Sequence, residues 1–519
     1  MNRHSRLLAL ALVAVAAPLA AQTATPPAAV TRAAQTITEA DVKRRIYIIA
    51  DDSMQGRDTP SRGLDLTAQY VADQFKSFGL KPGGGNGSYI MRYGVRRVQL
   101  DVAASHVGFM ANGQHVRVGF DRDAFWRAGD VPSSMLMGQA VVVGGMLAPD
   151  SLVASDFSGK IALLVLDYSK PRPATVQPTI DFLRATATAV VIVTNRDSAQ
   201  FAMIVSQLSG PRTSRYDSVP ASKSLAPVVE VQQRAVLAVL GAVGVNLDEI
   251  RTSGTMINRQ VPALSLMLGA KQDVLMDATA PITVGILEGT DPQLKSEYMV
   301  YSAHMDHVGV AGVSNQCRAV GADSICNGAD DDGSGTVGVV ELAEAFSQKA
   351  ARTRRSIIFL TVSGEEKGLW GSDYFVSHPT VPLSSIVADI NIDMIGRNWP
   401  DTIVAIGREH SDLGTTLARV DSMHPELGMV AIDDRWPEEN FYFRSDHYNF
   451  AKNGVPILFF FNGVHDDYHQ VSDSPDKINA EKESRILQLL FYLGQAVANA
   501  PQRPQWNPDS YKKIVEGAK

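Results

Sequence analysis

The sequence is poor in cysteine and has no long hydrophobic run outside its N-terminus. Two cysteines among 519 residues are too few for a zinc site built on thiolates. The apolar run at 7–17 is too short and too close to the N-terminus to be a permanent membrane span. There is also no basic block, and the net charge is −7, which argues against nucleic acid or an anionic membrane as the main partner.

The first 21 residues have the three parts of a secretory signal peptide. Arg3 and Arg6 precede the apolar run, and small residues lead to Ala21, near which we expect cleavage. The mature chain is then expected to be exported, to the periplasm or the medium, without a lipid anchor or a membrane span. In an oxidising compartment, Cys317 and Cys326 are expected to form a disulfide.

The composition, 45% hydrophobic and 20% charged, is that of a folded protein long enough for two units. We expect one unit to combine 37–99 with 259–500. Between 100 and 258, short β-runs dominate and His, Asp and Glu do not cluster, which predicts an inserted β-rich domain without catalytic residues. Residues 22–36, rich in Ala, Thr and Pro, are predicted to be a mobile leader, and 501–519 a C-terminal tail.

After the insert, strands and helices alternate, which predicts an α/β unit with a mostly parallel mixed sheet flanked by helices. Buried strands are predicted at 298–303, 356–362, 386–392 and 455–461. In such sheets, ligand-binding residues gather beyond the carboxyl ends of the strands. Side chains of the kinds that bind metals follow each of these strands.

Histidines and acids stand at these strand ends. His304 follows the first strand, Glu365 and Glu366 follow the second, Asp393 closes the third, and His469 comes after the fourth. Because acids at the ends of buried strands are costly to desolvate, we expect them to share cations. Imidazoles together with carboxylates suit a pair of zinc ions. Adjacent glutamates alone would also fit an ordinary helix N-terminus.

Three adjacent acids, Asp330, Asp331 and Asp332, precede a predicted helix. Their carboxylates repel one another unless a cation lies among them. An acid-rich helix entry, stabilised by the helix dipole, is the alternative. Residue chemistry alone leaves open which of the three would bind a metal. The nearby pattern His304-x-Asp306 suits a metal ligand oriented by a carboxylate, although a surface histidine gives the same pattern.

Six motifs in the second half of the chain fit one known family. They are HMDH (304–307), NGADDDGSG (327–335), GEEKGLWGS (364–372), NIDM (391–394), RSDHYNFAKNGVP (444–456) and YHQVSDSPDKI (468–478). Together they resemble the secreted bacterial double-zinc aminopeptidases, zinc metallopeptidases related to glutamate carboxypeptidase. The insert resembles the protease-associated domain that some members carry, but only in its pattern of short β-runs.

The resemblance implies two zinc ions per chain and a set of ligands. Asp331 would bridge both ions. His304 and Asp393 would complete one zinc site, and Glu366 and His469 the other.

The resemblance also implies catalytic roles. Glu365 would be the general base, Asp306 would orient His304, and Tyr468 would help to hold the oxyanion. A zinc pair lowers the pKa of a shared water towards neutrality. Glu365 would take the proton of that water and deliver it to the departing amine. One zinc and Tyr468 would stabilise the tetrahedral oxyanion.

Substrate choice is less determined by the sequence. The resemblance favours a peptide with a free N-terminus, whose ammonium Glu438 or Glu439 could receive. A carboxypeptidase would instead need cations for the terminal carboxylate of its substrate. The arginines that could supply one are Arg397, Arg408, Arg435 and Arg444.

Two further classes share this scaffold. A glutaminyl-cyclase-like transferase would use a single working zinc. A receptor-like binding protein would have lost metal ligands, whereas all five ligand positions and Glu365 are retained here.

Overall fold

The computed structural model of the protein describes residues 27–216 and 225–518, which divide into two compact units. Of the described residues, those up to Met91 and those from Ile282 onward form the first unit, and those between Arg92 and Pro281 form the second. The second unit extends beyond the expected insert, 100–258, at both ends, because long strands lead the chain into it and out of it. The expected signal peptide lies outside the described residues.

The described residues form the following strands and helices. The strands are β1 (Lys81–Pro82), β2 (Ile90–Leu100), β3 (His106–Ala111), β4 (Gln114–Gly119), β5 (Ala124–Ala128), β6 (Leu136–Gly145), β7 (Ile161–Leu166), β8 (Ala189–Thr194), β9 (Arg212–Tyr216), β10 (Val228–Gln232), β11 (Met256–Gly269), β12 (Gln272–Leu287), β13 (Tyr298–His304), β14 (Ser356–Val362), β15 (Ile386–Asp393), β16 (Thr402–Ile406), β17 (Val430–Ile432) and β18 (Ile457–Phe461). The α-helices are α1 (Ala28–Ala34), α2 (Glu39–Ile49), α3 (Arg62–Ser77), α4 (Val176–Thr186), α5 (Ser198–Leu208), α6 (Leu237–Gly241), α7 (Leu247–Thr252), α8 (Gly335–Ser347), α9 (Trp370–Ser377), α10 (Leu413–Met423), α11 (His447–Ala451), α12 (Ala480–Asn499) and α13 (Pro508–Tyr511).

The first unit is built on a mixed sheet with the strand order β17-β16-β18-β15-β13-β14-β12. Its centre, β18-β15-β13-β14, is parallel, and β16 and β12 pair with it antiparallel on either side. Every residue of β14 is buried and most are apolar, as expected for a strand covered by helices on both faces. The structure therefore confirms the predicted α/β class.

The helix α8 fixes the acidic cluster that precedes it. It is buried along nearly its whole length and packs against β13, β15, α2 and α12. Its Phe346 ring lies 4.5 Å from that of Phe491 in α12, measured between centroids. Because α8 starts directly after the cluster, this packing holds the three acids beside the carboxyl ends of β13 and β15.

The second unit has an eight-stranded sheet with the order β4-β3-β11-β6-β7-β8-β10-β5. Strands β6, β7, β8 and β10 are parallel, whereas β3, β4 and β11 add an antiparallel part. All residues of β7 and β8 are buried, and α4 connects these two strands. The second unit is therefore rich in strands, and its centre is a parallel α/β arrangement that the short β-runs did not predict.

Two segments expected outside the folded units are partly ordered. Within the expected mobile leader, 22–36, α1 forms and Ala34 is fully buried. The alanines that suggested a linker also favour a helix. Within the expected tail, 501–519, Ile514 and Val515 are buried. In the described part of the chain, no helix is both long enough and apolar enough to cross a membrane.

Candidate metal centre

One cluster of potential ligands contains His304, Asp331 and Asp393. His304 ends β13 and Asp393 ends β15, so the parallel strands deliver both side chains to the same edge. The Nε2 atom of His304 lies 3.4 Å from Oδ1 of Asp331 and 3.7 Å from Oδ1 of Asp393. The second oxygen of Asp393 accepts a hydrogen bond from the Ser445 hydroxyl at 3.0 Å.

A second cluster contains His307, Asp331, Glu366 and His469. Nε2 of His469 lies 3.2 Å from Oδ2 of Asp331 and 3.1 Å from Oε1 of Glu366. Nδ1 of His307 lies 3.0 Å from the same Glu366 oxygen and 3.5 Å from the same Asp331 oxygen. Four donor atoms therefore surround one point.

Asp331 belongs to both clusters, and its neighbours belong to neither. It turns Oδ1 towards His304 and Oδ2 towards His469. The carboxylate of Asp330 accepts from the Gly396 amide at 2.7 Å, and that of Asp332 from the Gly335 amide at 2.8 Å. Because backbone amides occupy the flanking acids, the middle acid alone of the three faces both clusters.

The unpartnered atoms of the second cluster fit a metal ion. Nδ1 of His307, Oδ2 of Asp331, Oε1 of Glu366 and Nε2 of His469 are all buried without a hydrogen-bond partner among the described residues. Buried polar atoms of this kind are costly unless something compensates them. Bonds of about 2.0–2.1 Å to a tetrahedral zinc ion would separate neighbouring ligand atoms by about 3.3 Å, close to the distances found.

The acidic surplus of the centre also favours a cation. Burial by itself lowers the pKa of His469, but the carboxylates of Asp331 and Glu366 outweigh it and raise that pKa to about 10. Burial and the nearby Asp393 raise the pKa of Asp332 well above its ordinary value, against the opposing effect of His304. A divalent cation would compensate the same surplus of negative charge.

Glu365 lies beside the centre but belongs to neither cluster. It lines one cavity together with His304, Asp331 and Asp393. Desolvation raises the pKa of its carboxyl well above the ordinary value; His304 opposes this, and the negative charge of Glu366 adds to it. The position next to the metal-binding groups leaves its carboxylate available for proton transfer.

Asp306 contacts two groups that surround the centre. Its carboxylate accepts hydrogen bonds from the Thr59 hydroxyl at 2.8 Å and from the backbone amide of Glu365 at 3.3 Å. Nδ1 of His304 lies 3.7 Å from this carboxylate, but 3.1 Å from the backbone oxygen of Asp306. Both the backbone oxygen and the carboxylate of Asp306 therefore lie close to Nδ1 of His304, the expected metal ligand.

Tyr468 lines the same cavity, and its ring stacks on that of His469 with centroids 3.9 Å apart. Burial, with the charges of nearby carboxylates, raises the pKa of its hydroxyl far above the ordinary value.

The expected disulfide between Cys317 and Cys326 is confirmed. Its loop contacts the centre, because the Gln316 side chain donates to the backbone oxygen of Glu366 at 3.2 Å.

Two residues of the centre were not predicted from the sequence. His307 is fully buried in the second cluster. The fully buried guanidinium of Arg57 donates to the backbone oxygens of Met305 at 2.8 Å and Gly328 at 2.7 Å. Arg57 thereby joins the segment after β13 to the loop before α8. In the sequence Arg57 only follows Gly56 in the segment 54–63, and no pattern there indicates a buried arginine.

The walls of the cavity combine polar and apolar side chains. Besides the polar groups named above, the lining includes Met394, Phe441, Phe459, Phe461 and Val464. Of the residues considered for substrate charge, Arg444 lines the cavity and is paired with Glu439 at 3.3 Å. The other residues considered are not part of this lining; they are Arg397, Arg408, Arg435, Glu438 and Glu439.

Comparison with known proteins shows partial similarity to named enzymes. Leupeptin-inactivating enzyme 1 of Streptomyces exfoliatus is 30% identical over 158 residues, which are 30% of this chain and 34% of that protein. Aminopeptidase YwaD of Bacillus subtilis (strain 168) is 27% identical over 205 residues, 36% of this chain and 41% of that protein. The chain thus spans well under two thirds of these relatives.

Among solved structures, an aminopeptidase from Aneurinibacillus sp. strain AM-1 aligns over 92% of this chain and 98% of its own, with 17% identity and a TM-score of 0.46. Residues 283–494 match the model of peptidase family M28. This range contains both clusters and Glu365. The resemblance found in the motifs is therefore confirmed at the level of the family, and the chain contains a peptidase family M28 domain over residues 283–494.

Proposed function

We propose that this protein is an exported zinc metallopeptidase that acts as an aminopeptidase, removing residues from the N-terminus of peptides. The observation that carries the proposal is the pair of ligand clusters that share Asp331, with Glu365 on the wall of the adjoining cavity. The match to family M28 and the name of the Bacillus subtilis relative support it.

The residues suit two zinc ions. His304 and Asp393 would hold one, Glu366 and His469 the other, and Asp331 would contact both. Bound zinc supplies a lowered pKa for a coordinated water and a positive charge that polarises the carbonyl under attack.

Glu365 would move the proton. Its carboxylate accepts the proton released when water attacks the carbonyl and passes it to the departing amine. The desolvation that raises its pKa favours the protonated form between these two steps. The phenol of Tyr468 is a hydrogen-bond donor on the same cavity, so it can donate to the developing oxyanion.

The cavity fits an apolar side chain next to the cleaved bond. Aromatic rings from Phe441, Phe459 and Phe461 line it, and burial against them would favour a hydrophobic residue. Arg444 supports a second candidate, a carboxypeptidase, because its guanidinium on the same cavity could bind a terminal carboxylate. Its existing pair with Glu439 weakens that candidate.

Substrates with a free or an acetylated N-terminus distinguish the aminopeptidase from the carboxypeptidase. We expect purified protein to hydrolyse leucyl and phenylalanyl p-nitroanilides, to lose this activity with a chelator, and to regain it with zinc. N-acetylated peptides should be poor substrates. Faster release of the C-terminal residue from acetylated peptides would overturn the aminopeptidase assignment in favour of the carboxypeptidase, and activity that resists complete zinc removal would overturn the metallopeptidase assignment.

A further inference from the structure

His307 lies in the second cluster, but the proposed reaction gives it no role. Its ring is fully buried, and Nδ1 points at the oxygens of Glu366 and Asp331 from 3.0 and 3.5 Å. Neither of its ring nitrogens has a hydrogen-bond partner among the described residues. A buried imidazole in such a place needs an explanation, because an unpartnered polar group is expensive.

The surrounding backbone holds the ring of His307 at this place. Gly328 has φ +58°, and a Cβ on it would lie 2.4 Å from Cγ of His307, so only glycine leaves room for the ring. On the other side, the His307 amide donates to the backbone oxygen of Arg57 at 3.3 Å. The buried Arg57 guanidinium also donates to the backbone oxygen of Gly328, so Arg57 contacts the backbone on both sides of the ring. The ring is therefore set in position by the loops on both sides of it.

The two clusters differ in the number of donors. Four protein atoms converge in the second cluster, from His307, Asp331, Glu366 and His469. The first has three donors, and the other oxygen of Asp393 is engaged by Ser445. Structural zinc sites close all four tetrahedral positions with protein ligands, whereas catalytic sites keep one position open.

We propose that His307 is the fourth protein ligand of the zinc position formed by Asp331, Glu366 and His469. That position is then closed by side chains, and the position formed by His304, Asp331 and Asp393 keeps the free place for water or substrate. This proposal rests on the proposed function as a zinc peptidase. It predicts that the two metal positions differ strongly in affinity and that the closed position fills first.

The test counts imidazoles at the first metal bound. Metal-free protein receives one equivalent of zinc, and X-ray absorption then reports the nitrogen ligands. We expect two imidazoles in the wild-type protein and one in His307→Gln. Competition with a chelator should show more than a 100-fold loss of first-zinc affinity in the variant, beyond the 10–100-fold typical of residues that only orient a ligand. His424→Gln, which alters a buried histidine stacked on Tyr492, is the matched control and should match the wild type.

A single imidazole on the first zinc of the wild-type protein would overturn the proposal, and this result does not depend on the variant folding. A loss of first-zinc affinity below 100-fold in a folded His307→Gln would also overturn it, since His307 would then only orient Glu366. Either outcome, combined with retained zinc-dependent hydrolysis, leaves the peptidase assignment standing. Absence of zinc-dependent hydrolysis in protein that binds its first zinc through two imidazoles would instead reject the peptidase assignment alone.

Discussion

Both units contain parallel strands with acids at or near their carboxyl ends, yet the described residues place a metal centre in the first unit alone. In the second unit, Glu230 of β10 is fully buried between Arg127 and Arg196, each at 2.8 Å, and Asp167 after β7 accepts from Asn195 at 2.8 Å. In the first unit, none of the described ion pairs joins Asp331 or Glu366 to a lysine or arginine; their partners are histidines.

The comparison shows that position at a strand end does not by itself make a metal site. What matters is whether the protein already compensates the buried charge. Arginines neutralise Glu230, so nothing further is needed there. The imidazoles beside Asp331 and Glu366 are good metal ligands and leave the negative charge of the carboxylates to be balanced by cations.

The largest effect is expected from Glu365→Gln in the first unit. Since proton transfer by a positioned carboxylate contributes about 10²–10⁴-fold, turnover should fall by that factor while zinc content stays at the wild-type value. The matched change in the second unit is Asp167→Asn after β7, which should alter neither quantity. Steady-state kinetics and metal analysis check both variants. Zinc loss in Glu365→Gln would mean that this residue is a ligand, and the division between ligands and base would be wrong.

The sequence was sufficient to predict the strands that carry the metal centre, but not all of the residues in the centre. Continuous apolar runs such as β14 identify buried parallel strands, and the rule for strand ends then brings His304 and Asp393 together. His307 stands beyond the last residue of β13, where strand alternation no longer tells which way a side chain points. Only the course of the loop, held by Arg57, places it.

The choice among three adjacent acids also required the structure. Sequence chemistry makes Asp330, Asp331 and Asp332 equivalent, and the resemblance alone selected Asp331. The structure distinguishes the three acids by their hydrogen bonds. The Gly396 amide donates to Asp330 and the Gly335 amide donates to Asp332. Such backbone contacts depend on how loops from distant parts of the chain pack together, and no local pattern encodes them.

An intermediate effect is expected when the compensation in the second unit is removed. Arg196→Met keeps most of the side-chain volume but deprives the buried Glu230 of one charged hydrogen bond and removes the stacking on Tyr168. Such a bond contributes about 1.5–3 kcal/mol, so calorimetry should show a lower unfolding temperature. Arg122→Met removes a solvent-exposed arginine from its pair with Asp123 and should lower the unfolding temperature less. Equal losses in the two variants would mean that burial of Glu230 does not matter.

A pH-dependent effect is expected at Asp389 in β15, a buried acid that neither an arginine nor a metal cluster compensates among the described residues. It accepts from the Ser302 hydroxyl at 2.7 Å, and burial raises its pKa from 3.8 to about 8. The folded state therefore binds a proton that the unfolded state releases between these values, so stability contributed by this group is present below about pH 4 and is lost as the pH rises towards 8. The loss is at most about 1.4 kcal/mol per pH unit. Asp389→Asn should remove this decline, and its unfolding free energy relative to the wild type should rise steadily from pH 4 to 8. Parallel pH profiles for the two proteins would show that Asp389 is ionised in the fold, and that its charge, like that of Glu230, is compensated.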